Sequence, residues 1–444
     1  MSQNWPKVIR DPVHNIIPFQ NDKCDRLLLA LINTKEFQRL RRIKQLGVSN
    51  FVFPGADHTR FAHCIGVMHT AKMFLGRLEI VLGKRICEDH RTVVLAAALL
   101  HDVGHGPFSH AFEKITGDDH EKRTRQIITD KATAVNEQLG HMAGVLDNFF
   151  SEDVDESALD QEGFPSYLAQ IVSSQLDADR FDYLLRDSYA TGTGYGRFDQ
   201  KWLLQNLFLQ ENTDRFYLGY KASLAVEQYV YSRYHMYRSV YFHKTTRAAE
   251  VMLRLLFRRL KELLDSGQDA DARRRLVPGA PDTLLRAFSE SISLSDYLML
   301  DDHTIGELWK WCQYSSDATV RELGGGLLHR RLYKAIDVTG RPIDKVADFV
   351  SDARSLIADR ALLPEYCLAS DTPEDTPYKP YDPDSEKPAK QIYVEDVGGT
   401  INPLTANSDF VHPLTRKYTL TRYYCPESLR DDIRRLAENK LGRE

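Results

Sequence analysis

The sequence lacks any apolar run long enough to span a bilayer, because its longest run covers only residues 93–100. Its N-terminal stretch, MSQNWPKVIRDPVHN, contains no apolar segment, which argues against a secretory signal. The six cysteines form no CxxC pair and lie far apart, so a disulfide scaffold is not indicated. We therefore expect a cytoplasmic protein that does not interact with membranes.

An excess of positive charge is also missing. The 444 residues include 58 Lys and Arg against 63 Asp and Glu, which gives a net charge of −5. This balance does not favour nucleic acid as a partner, and a site for an anionic substrate must concentrate its positive charge locally. Hydrophobic residues at 42% and charged residues at 27% are typical of a globular protein. The length allows two or three domains.

The spacing of apolar residues predicts helices over most of residues 22–370. The predicted helical segments are Cys24–Ile32, Thr34–Leu46, Cys64–Leu82, Arg91–His101, Phe164–Leu185 and the long amphipathic stretch Ser223–Leu264. Near the C-terminus, QIYVEDV and RKYTLTRYYC alternate as strands do, and PESLRDDIRRLAENKL is typical of a capped helix. The sequence therefore predicts a mainly α fold with a small α+β C-terminal region.

Histidine and aspartate cluster where a buried helix is predicted to end. The stretch LLHDVGHGPFSH follows the apolar run VVLAAA and contains His101, Asp102, His105 and His110. Buried His and Asp are costly to desolvate unless they are hydrogen-bonded, paired or bound to a metal. His101 and Asp102 are adjacent in the chain, so both can reach one ion at the end of the helix.

Two further segments supply residues of the same kind. TRFAHC places Arg60 and His63 on one helix face, and LDADRFDYLLRDS sets Asp179 in a polar stripe on an otherwise apolar helix. Together these residues form an H…HD…D set of nitrogen and oxygen ligands, which indicates one divalent metal per active site. Mn, Fe, Zn, Ni and Mg are all compatible with it. We interpret His14 and His141 as ordinary surface or core histidines.

These segments carry a family resemblance. TRFAH, HDVGHGPFSH, DHE (119–121) and LDADRFDYLLRDS resemble the signature of HD-domain phosphohydrolases. More narrowly, with RDPVHN, FQRLRRIKQLG, FVFPGADHTRF and YRSVYFHK, they resemble bacterial, dGTPase-like relatives of the SAM- and HD-domain deoxynucleoside triphosphate triphosphohydrolases. The resemblance covers roughly residues 5–250. It implies an HD-domain helical bundle.

The resemblance and the composition together divide the chain into four parts. We expect an HD catalytic domain over 1–260 and a helical extension over 261–370. A Pro-rich acidic linker is expected over 371–390, and a small α+β C-terminal region over 391–444.

By position, the resemblance assigns site residues. It implies the metal ligands His63, His101, Asp102 and Asp179. It implies proton transfer by His105, Glu113 and His120, where Glu113 replaces an Asp of the best-known relatives. It implies phosphate contacts by Arg60, His110, Arg180, Tyr183 and Arg233, where Arg180 stands for a lysine in the vertebrate form. It implies sugar 3′-hydroxyl contacts by Gln45 and Asp187, and crowding of the 2′ position by Leu46 and Tyr241.

The expected activity is metal-dependent hydrolysis of deoxynucleoside triphosphates (dNTPs) to deoxynucleoside and inorganic triphosphate. Such a reaction needs a Lewis acid, cations over the polyphosphate and an acid for the leaving oxygen. Two alternatives stay open at this stage. One is an HD phosphodiesterase or single-strand nuclease, and the other is a nucleotide-sensing regulatory protein.

The resemblance also implies regulation and assembly. Relatives commonly form tetramers in which a nucleotide binds between subunits. The positions that match that region are Lys7, Val8, Arg10, Asn33, Gln38 and Arg41. Asn33 replaces an Asp that reads guanine in the vertebrate enzyme, and an amide cannot reproduce the paired acceptance of a carboxylate. We therefore expect a homo-oligomer, a tetramer, with a nucleotide activator that is not strictly GTP.

Overall fold

The computed structural model describes residues 7–151, 164–210, 213–266, 276–289, 291–376, 378 and 391–442, and of His110 the backbone only. Helices dominate these residues, which confirms the mainly α fold. In the first 266 residues the helices are α1 (Lys23–Ile32), α2 (Lys35–Arg39), α3 (Arg60–Leu82), α4 (Glu88–Leu100), α5 (His110–Thr116), α6 (His120–Thr129), α7 (Ala134–Leu139), α8 (Met142–Phe149), α9 (Ala178–Thr191), α10 (Gln200–Gln205), α11 (Ser223–Met236) and α12 (Lys244–Ser266).

The C-terminal part continues with shorter helices. They are α13 (Asp282–Ser289), α14 (Leu294–Leu298), α15 (Asp302–Cys312), α16 (Ala318–Leu328), α17 (Ile343–Ala358), α18 (Pro364–Cys367), α19 (Leu404–Asn407) and α20 (Arg430–Leu441). Within the described ranges, no helix is both long and apolar enough to cross a membrane.

The strands form small sheets that join distant parts of the chain. They are β1 (Lys7–Asp11), β2 (Asn15–Phe19), β3 (Leu207–Gln210), β4 (Arg215–Leu218), β5 (Lys334–Asp337), β6 (Ala369–Asp371), β7 (Glu374–Asp375), β8 (Tyr393–Glu395), β9 (Ile401–Pro403), β10 (Tyr418–Thr419) and β11 (Arg422–Cys425). β1 and β2 form an antiparallel hairpin, and the other sheets have the orders β3-β4-β8-β9, β5-β11-β6 and β10-β7. The C-terminal strands therefore pair with strands from the helical part.

Three helices pack together and bring their ends to one place. α4 is apolar and buried from Thr92 to Leu100, and it packs on α3. α9 also packs on α3, and its start is fixed by Asp177, whose side chain accepts a hydrogen bond from the backbone N–H of Arg180 at 2.8 Å. The N-terminal ends of α3 and α9 therefore meet the C-terminal end of α4.

A second apolar core forms around α12. It includes Val48 from the turn before α3, and Ala111 and Phe112 from α5. Because these residues pack against α12, that helix bounds the space next to the ends of α3, α4 and α9. A third core lies between α17 and α20.

The structure differs from the sequence-based expectations at several boundaries. The single helix predicted over Phe164–Leu185 is divided in the structure. Its first part is a short 3₁₀ turn over Ser166–Ile171, and α9 begins only after the Asp177 cap. The long helix predicted over Ser223–Leu264 is interrupted by a π-helical turn over Tyr237–Tyr241. The predicted linker begins inside a sheet, because residues 369–371 and 374–375 are strands that pair with β11 and β10. Residues 377 and 379–390 of that linker lie outside the described residues.

Candidate active site

The four predicted metal ligands converge where α3, α4 and α9 meet. His63 Nε2 lies 3.0 Å from Asp179 Oδ1 and 3.9 Å from Asp102 Oδ2. His101 Nε2 lies 3.6 Å from the same Asp179 oxygen and 3.5 Å from Asp102 Oδ1. One donor atom from each of His63, His101 and Asp179 lies within 4.8 Å of the others, which is a spacing that can hold a single ion. We call these four residues the metal cluster.

The orientation of the two histidines fits a divalent metal. His101 Nδ1 lies 2.9 Å from the carbonyl oxygen of Ala98, so it donates there and its Nε2 presents a lone pair to the cluster. That Nε2 is buried and has no hydrogen-bond partner among the described residues. His63 is oriented in the same way, since its Nδ1 lies 2.8 Å from Asp182 Oδ2. Two nitrogen and two carboxylate ligands suit the metals named above.

A buried carboxylate network lies behind the metal cluster. Asp182 is fully buried and accepts hydrogen bonds from Arg186 Nε and Nη2 at 2.7 and 2.9 Å, and from His14 Nε2 at 2.6 Å. Arg186 Nη1 also donates to Asp11 Oδ2 at 2.8 Å. A Cβ at Gly66 would lie 1.9 Å from Asp182 Oδ1, so this helix position has to be glycine. Asp11, His14, Asp182 and Arg186 are referred to below as the carboxylate network.

Carboxylates of the metal cluster and of the carboxylate network both act on the pKa of His63. Burial opposes a charge on His63, but its hydrogen bonds to Asp179 and Asp182 outweigh burial and raise its pKa to about 10. Burial also opposes the charge on Asp182, yet Arg186 and the two histidines hold its pKa well below the usual range. Sequence reasoning missed this role of His14. Nothing in the sequence around His14 signals it, because its partner Asp182 lies 168 residues away.

The predicted proton-transfer residues form a second group beside the first. Glu113 Oε1 lies 3.2 Å from His105 Nδ1 and 3.2 Å from His120 Nδ1. The two imidazole rings stack with centroids 3.9 Å apart. This approach requires Gly104, because a Cβ there would lie 2.3 Å from the carbonyl oxygen of His120. His105 Nε2 reaches the metal cluster, 3.3 Å from Asp102 Oδ1.

The two stacked histidines have opposite pKa shifts. Burial and the neighbouring Arg60 lower the pKa of His105 to about 4. Burial also disfavours a charge on His120, but Glu113 outweighs burial and raises its pKa above the ordinary value. Such a separation is typical of groups that divide acid and base roles. His105, with its pKa of about 4, is therefore neutral near pH 7, whereas His120 binds a proton more readily than an ordinary histidine does.

Arg60 supplies positive charge next to the metal cluster. Its Nη1 donates to Asp102, and its Nε and Nη2 donate to Ser109 Oγ at 3.2 and 2.9 Å. Ser109 and the preceding Phe108 have φ values of 45° and 50°, which are unusual for residues other than glycine. A left-handed backbone of this kind costs on the order of 1–3 kcal/mol per residue. The rest of the site thus holds a strained turn that delivers the serine hydroxyl to Arg60.

A cavity of about 490 Å³ connects these groups with α12. This volume lies within the range of small-molecule sites. At one end the cavity is lined by His63, Asp102, Asp179, His105 and His120, and at the other by residues of α12. The metal cluster and the proton-transfer group therefore face one shared space.

Six of the predicted substrate residues line this cavity. They are Gln45, Leu46, Arg60, Tyr183, Asp187 and Tyr241. Asp187 accepts hydrogen bonds from Tyr241 Oη and from His58 Nε2, each at 2.7 Å. Gln45 Oε1 is buried and has no hydrogen-bond partner among the described residues, so it can accept from a ligand hydroxyl.

The remaining predicted substrate residues are placed elsewhere or lie outside the description. Arg180 turns back to the Ser174 carbonyl oxygen and to Asp177, and it does not line the cavity. Arg233 lies over the ring of Tyr237, which does line the cavity, and donates to Asp375 Oδ1 at 3.0 Å. His110 begins α5, and its side chain lies outside the described residues.

The predicted regulatory residues lie away from the cavity. Lys7, Val8 and Arg10 belong to β1, where the side chain of Arg10 donates to Asn15 Oδ1 at 2.7 Å. Asn33 is exposed at the end of α1. Gln38 Oε1 accepts from Arg41 Nε at 2.8 Å, and the guanidinium of Arg41 covers the ring of Phe61. Their role stays a prediction.

Several cavity residues were not anticipated from the sequence. Thr246, Arg247, Glu250 and Arg254 line the cavity from α12, and Lys114 lines it from α5. The spacing of the four α12 residues over two turns indicates one face of an amphipathic helix. Sequence alone does not tell whether such a face meets solvent or a cavity.

The helical fold and the H…HD…D cluster together define an HD domain with a candidate metal-binding site. The family model of the HD domain matches residues 60–187, and that of the HD associated region matches residues 198–277. The chain is 34% identical over 437 residues to the uncharacterized protein YwfO of Bacillus subtilis. This match covers 98% of the chain and 95% of the Bacillus protein. The chain therefore belongs to the family of HD-domain phosphohydrolases.

Two further similarities place the chain within the family. The crystal structure of a phosphohydrolase from Bacteroides thetaiotaomicron has a TM-score of 0.78 and 27% identity, and the match covers 95% of this chain and all (100%) of that chain. Human deoxynucleoside triphosphate triphosphohydrolase SAMHD1 is 29% identical over 373 residues, which cover 75% of this chain and 55% of the human protein. The resemblance to the SAM- and HD-domain enzymes is confirmed.

Proposed function

We propose that this protein hydrolyses dNTPs to deoxynucleoside and inorganic triphosphate with one divalent metal per active site. The observation that carries the proposal is the shared cavity. In it, the metal cluster lies beside a group of hydroxyl-binding atoms formed by Gln45 Oε1 and the Asp187–Tyr241 pair. This arrangement suits a phosphate next to a deoxyribose.

The residues of the chain divide the work of the reaction. The four residues of the metal cluster would hold a divalent metal, which would supply a Lewis acid for a phosphate oxygen. Arg60 places a guanidinium beside the negative charge that develops there. His120 holds the proton that the leaving oxygen needs, and Glu113 orients it. Leu46 and the ring of Tyr241 exclude a 2′-hydroxyl by leaving it no hydrogen-bond partner.

A matrix of metals and nucleotides tests this proposal. Metal-depleted protein is reloaded with Mn, Fe, Zn, Ni or Mg and incubated with each dNTP, and the products are separated by ion chromatography. We expect equal amounts of tripolyphosphate and deoxynucleoside. Asp102→Asn should abolish turnover, whereas Asp147→Asn, which breaks a surface pair with Arg125, should not. Release of pyrophosphate or monophosphate alone would contradict the proposed bond cleavage.

The two alternative functions have distinct signatures. A nuclease needs an uncompensated basic groove, but Arg247 and Arg254 are paired with Asp371, and Arg233 with Asp375. Cleavage of an oligonucleotide with inert dNTPs would favour that function. A nucleotide sensor would bind dNTPs without turnover in any metal.

We also propose that the protein works in the cytoplasm as a nucleotide-activated homotetramer. Lys7, Arg10 and Arg41 would contact the phosphates of the activator. Light scattering with and without nucleotide, together with Arg41→Ala, tests this arrangement. A monomer at every nucleotide concentration, with hyperbolic kinetics that the substitution leaves unchanged, would contradict it.

A further inference from the structure

The far end of the cavity presents a polar surface that the reaction itself does not use. Asp187 follows Asp179 by eight residues on α9, a rise of about 12 Å, and it is bound to Tyr241 just before α12. The cavity therefore runs from the metal cluster, past the Asp187–Tyr241 pair, to α12. If the phosphate lies at the metal cluster and the deoxyribose at the Asp187–Tyr241 pair, the base of the substrate lies against α12.

An arginine and a glutamate form a fixed pair at this end. Arg247 Nη1 donates to Glu250 Oε2 at 2.5 Å, and both side chains line the cavity. Asp371 holds the same guanidinium in its plane, since its Oδ2 and Oδ1 accept from Arg247 Nε and Nη2 at 2.8 and 2.7 Å. Asp371 is buried and is held in turn by Arg254 at 2.8 Å. Glu250 and Arg247 thus present an acceptor and a donor side by side.

A buried hydroxyl points to a polar ligand at the same place. Thr246 lines the cavity and is 1% exposed. Its Oγ1 has no hydrogen-bond partner among the described residues. A buried hydroxyl without a partner costs free energy that a ligand can recover by bonding to it.

We propose that Arg247 and Glu250 read the edge of the base and select guanine. The proposal rests on the proposed dNTP hydrolysis. Guanine presents the acceptor O6 directly beside the donors N1–H and N2–H₂, so it matches a guanidinium beside a carboxylate. The proposed pose places O6 of guanine at Arg247 and its N1–H and N2–H₂ at Glu250. In the same pose, adenine and cytosine would place an amino donor against the guanidinium and a ring acceptor against the carboxylate. Thymine keeps one donor, N3–H, and ranks second.

Steady-state kinetics with five substrates test the proposal. The substrates are dGTP, dITP, dATP, dCTP and dTTP, and dITP differs from dGTP only by the missing 2-amino group. We expect kcat/KM for dGTP to exceed that for dATP and dCTP by about tenfold to a hundredfold, because hydrogen bonds to charged groups are lost. The kcat/KM for dITP should lie between that for dGTP and those for dATP and dCTP.

Glu250→Gln isolates the role of the carboxylate. It should lower kcat/KM for dGTP about tenfold or more, and it should bring dGTP and dITP together, because the 2-amino group loses its acceptor. Glu262→Gln on the same helix, outside the cavity, is the matched control and should leave the ranking of bases unchanged. Equal kcat/KM for all bases in the parent, or an unchanged ranking in Glu250→Gln, would overturn the proposal.

A binding experiment separates this proposal from the proposed reaction. Calorimetric titration with dGTP and dATP, in protein without added metal, reports base selection without turnover. Tighter binding of dGTP that Glu250→Gln abolishes supports base reading even when no triphosphate is released. Tripolyphosphate release at equal rates from all dNTPs, with equal binding, leaves the reaction standing and overturns base reading.

Discussion

Replacement of Asp182 by asparagine removes the charge at the centre of the carboxylate network. Asp182 accepts from His63, His14 and Arg186 while it is fully buried. Asparagine preserves the volume, but one carboxylate oxygen becomes an NH₂ group that faces N–H donors. The substitution therefore weakens the partner that orients the predicted metal ligand His63, and it removes half of the negative charge around Arg186.

The expected magnitude follows from these contacts. Loss of the partner that orients a metal-binding histidine typically weakens metal affinity tenfold to a hundredfold, or by about 1.4–2.7 kcal/mol. Among the described residues, the buried Arg186 would then keep one counter-charge, Asp11. A broken buried ion pair costs on the order of 3–5 kcal/mol of folding stability. We expect both a weaker metal site and a lower midpoint of denaturation.

The assay is a competition for metal between the protein and a chromophoric chelator, with circular dichroism on the same samples to count only folded protein. Asp147→Asn, at a surface ion pair, is the control and should change stability by less than about 1 kcal/mol. His14→Ala removes one donor and should shift the affinity in the same direction by less. A folded Asp182→Asn protein with the metal affinity of the parent would refute the reasoning.

Three further predictions concern the site. Because Glu113 raises the pKa of His120, Glu113→Gln should lower that pKa. The alkaline limb of a kcat–pH profile should therefore move to lower pH. An unchanged limb would show that a residue other than His120 donates the proton. Tyr241→Ala opens the wall beside the sugar, so the ratio of kcat/KM for dNTPs over ribonucleotides should fall about tenfold, whereas a parent enzyme that hydrolyses both equally contradicts the assignment. Gly66→Ala drives a methyl group into the carboxylate network and should lower both thermal stability and metal content. Gly76→Ala on the same helix meets no atom within 4 Å and should stabilise by up to about 1 kcal/mol; equal effects of the two substitutions would argue against a tight approach at Gly66.

Local spacing predicted much of the metal cluster and of the fold. His63 and Asp179 lie in helices, and His101 follows directly after the last residue of α4, so short-range periodicity locates all three well. The ends of the helices were harder to predict. Apolar residues recur from Phe164 onward, but α9 begins only after Asp177, which caps it. The interruption at Tyr237–Tyr241 was not predictable from periodicity, since no proline or glycine marks it.

The unpredicted part of the site depends on contacts between distant residues. Asp371 lies 124 positions from Arg247, and it falls in a segment whose composition is typical of a linker. Only the pairing of β6 with β11 brings it beside α12. Composition reports the average behaviour of a segment, whereas a single buried carboxylate depends on the tertiary fold. The same reason explains why His14 was not anticipated in the carboxylate network.

The carboxylate network extends the candidate metal centre beyond the residues that the HD domain match covers. A fragment that starts at Arg60, where the HD domain match begins, retains every metal ligand. It loses Asp11 and His14, so Arg186 keeps one counter-charge and Asp182 loses one donor. Transplanting the HD segment alone into another protein would move the ligands without the charges that orient them. The β1–β2 hairpin thus belongs to the candidate metal centre through Asp11 and His14, although it contributes none of the predicted ligands.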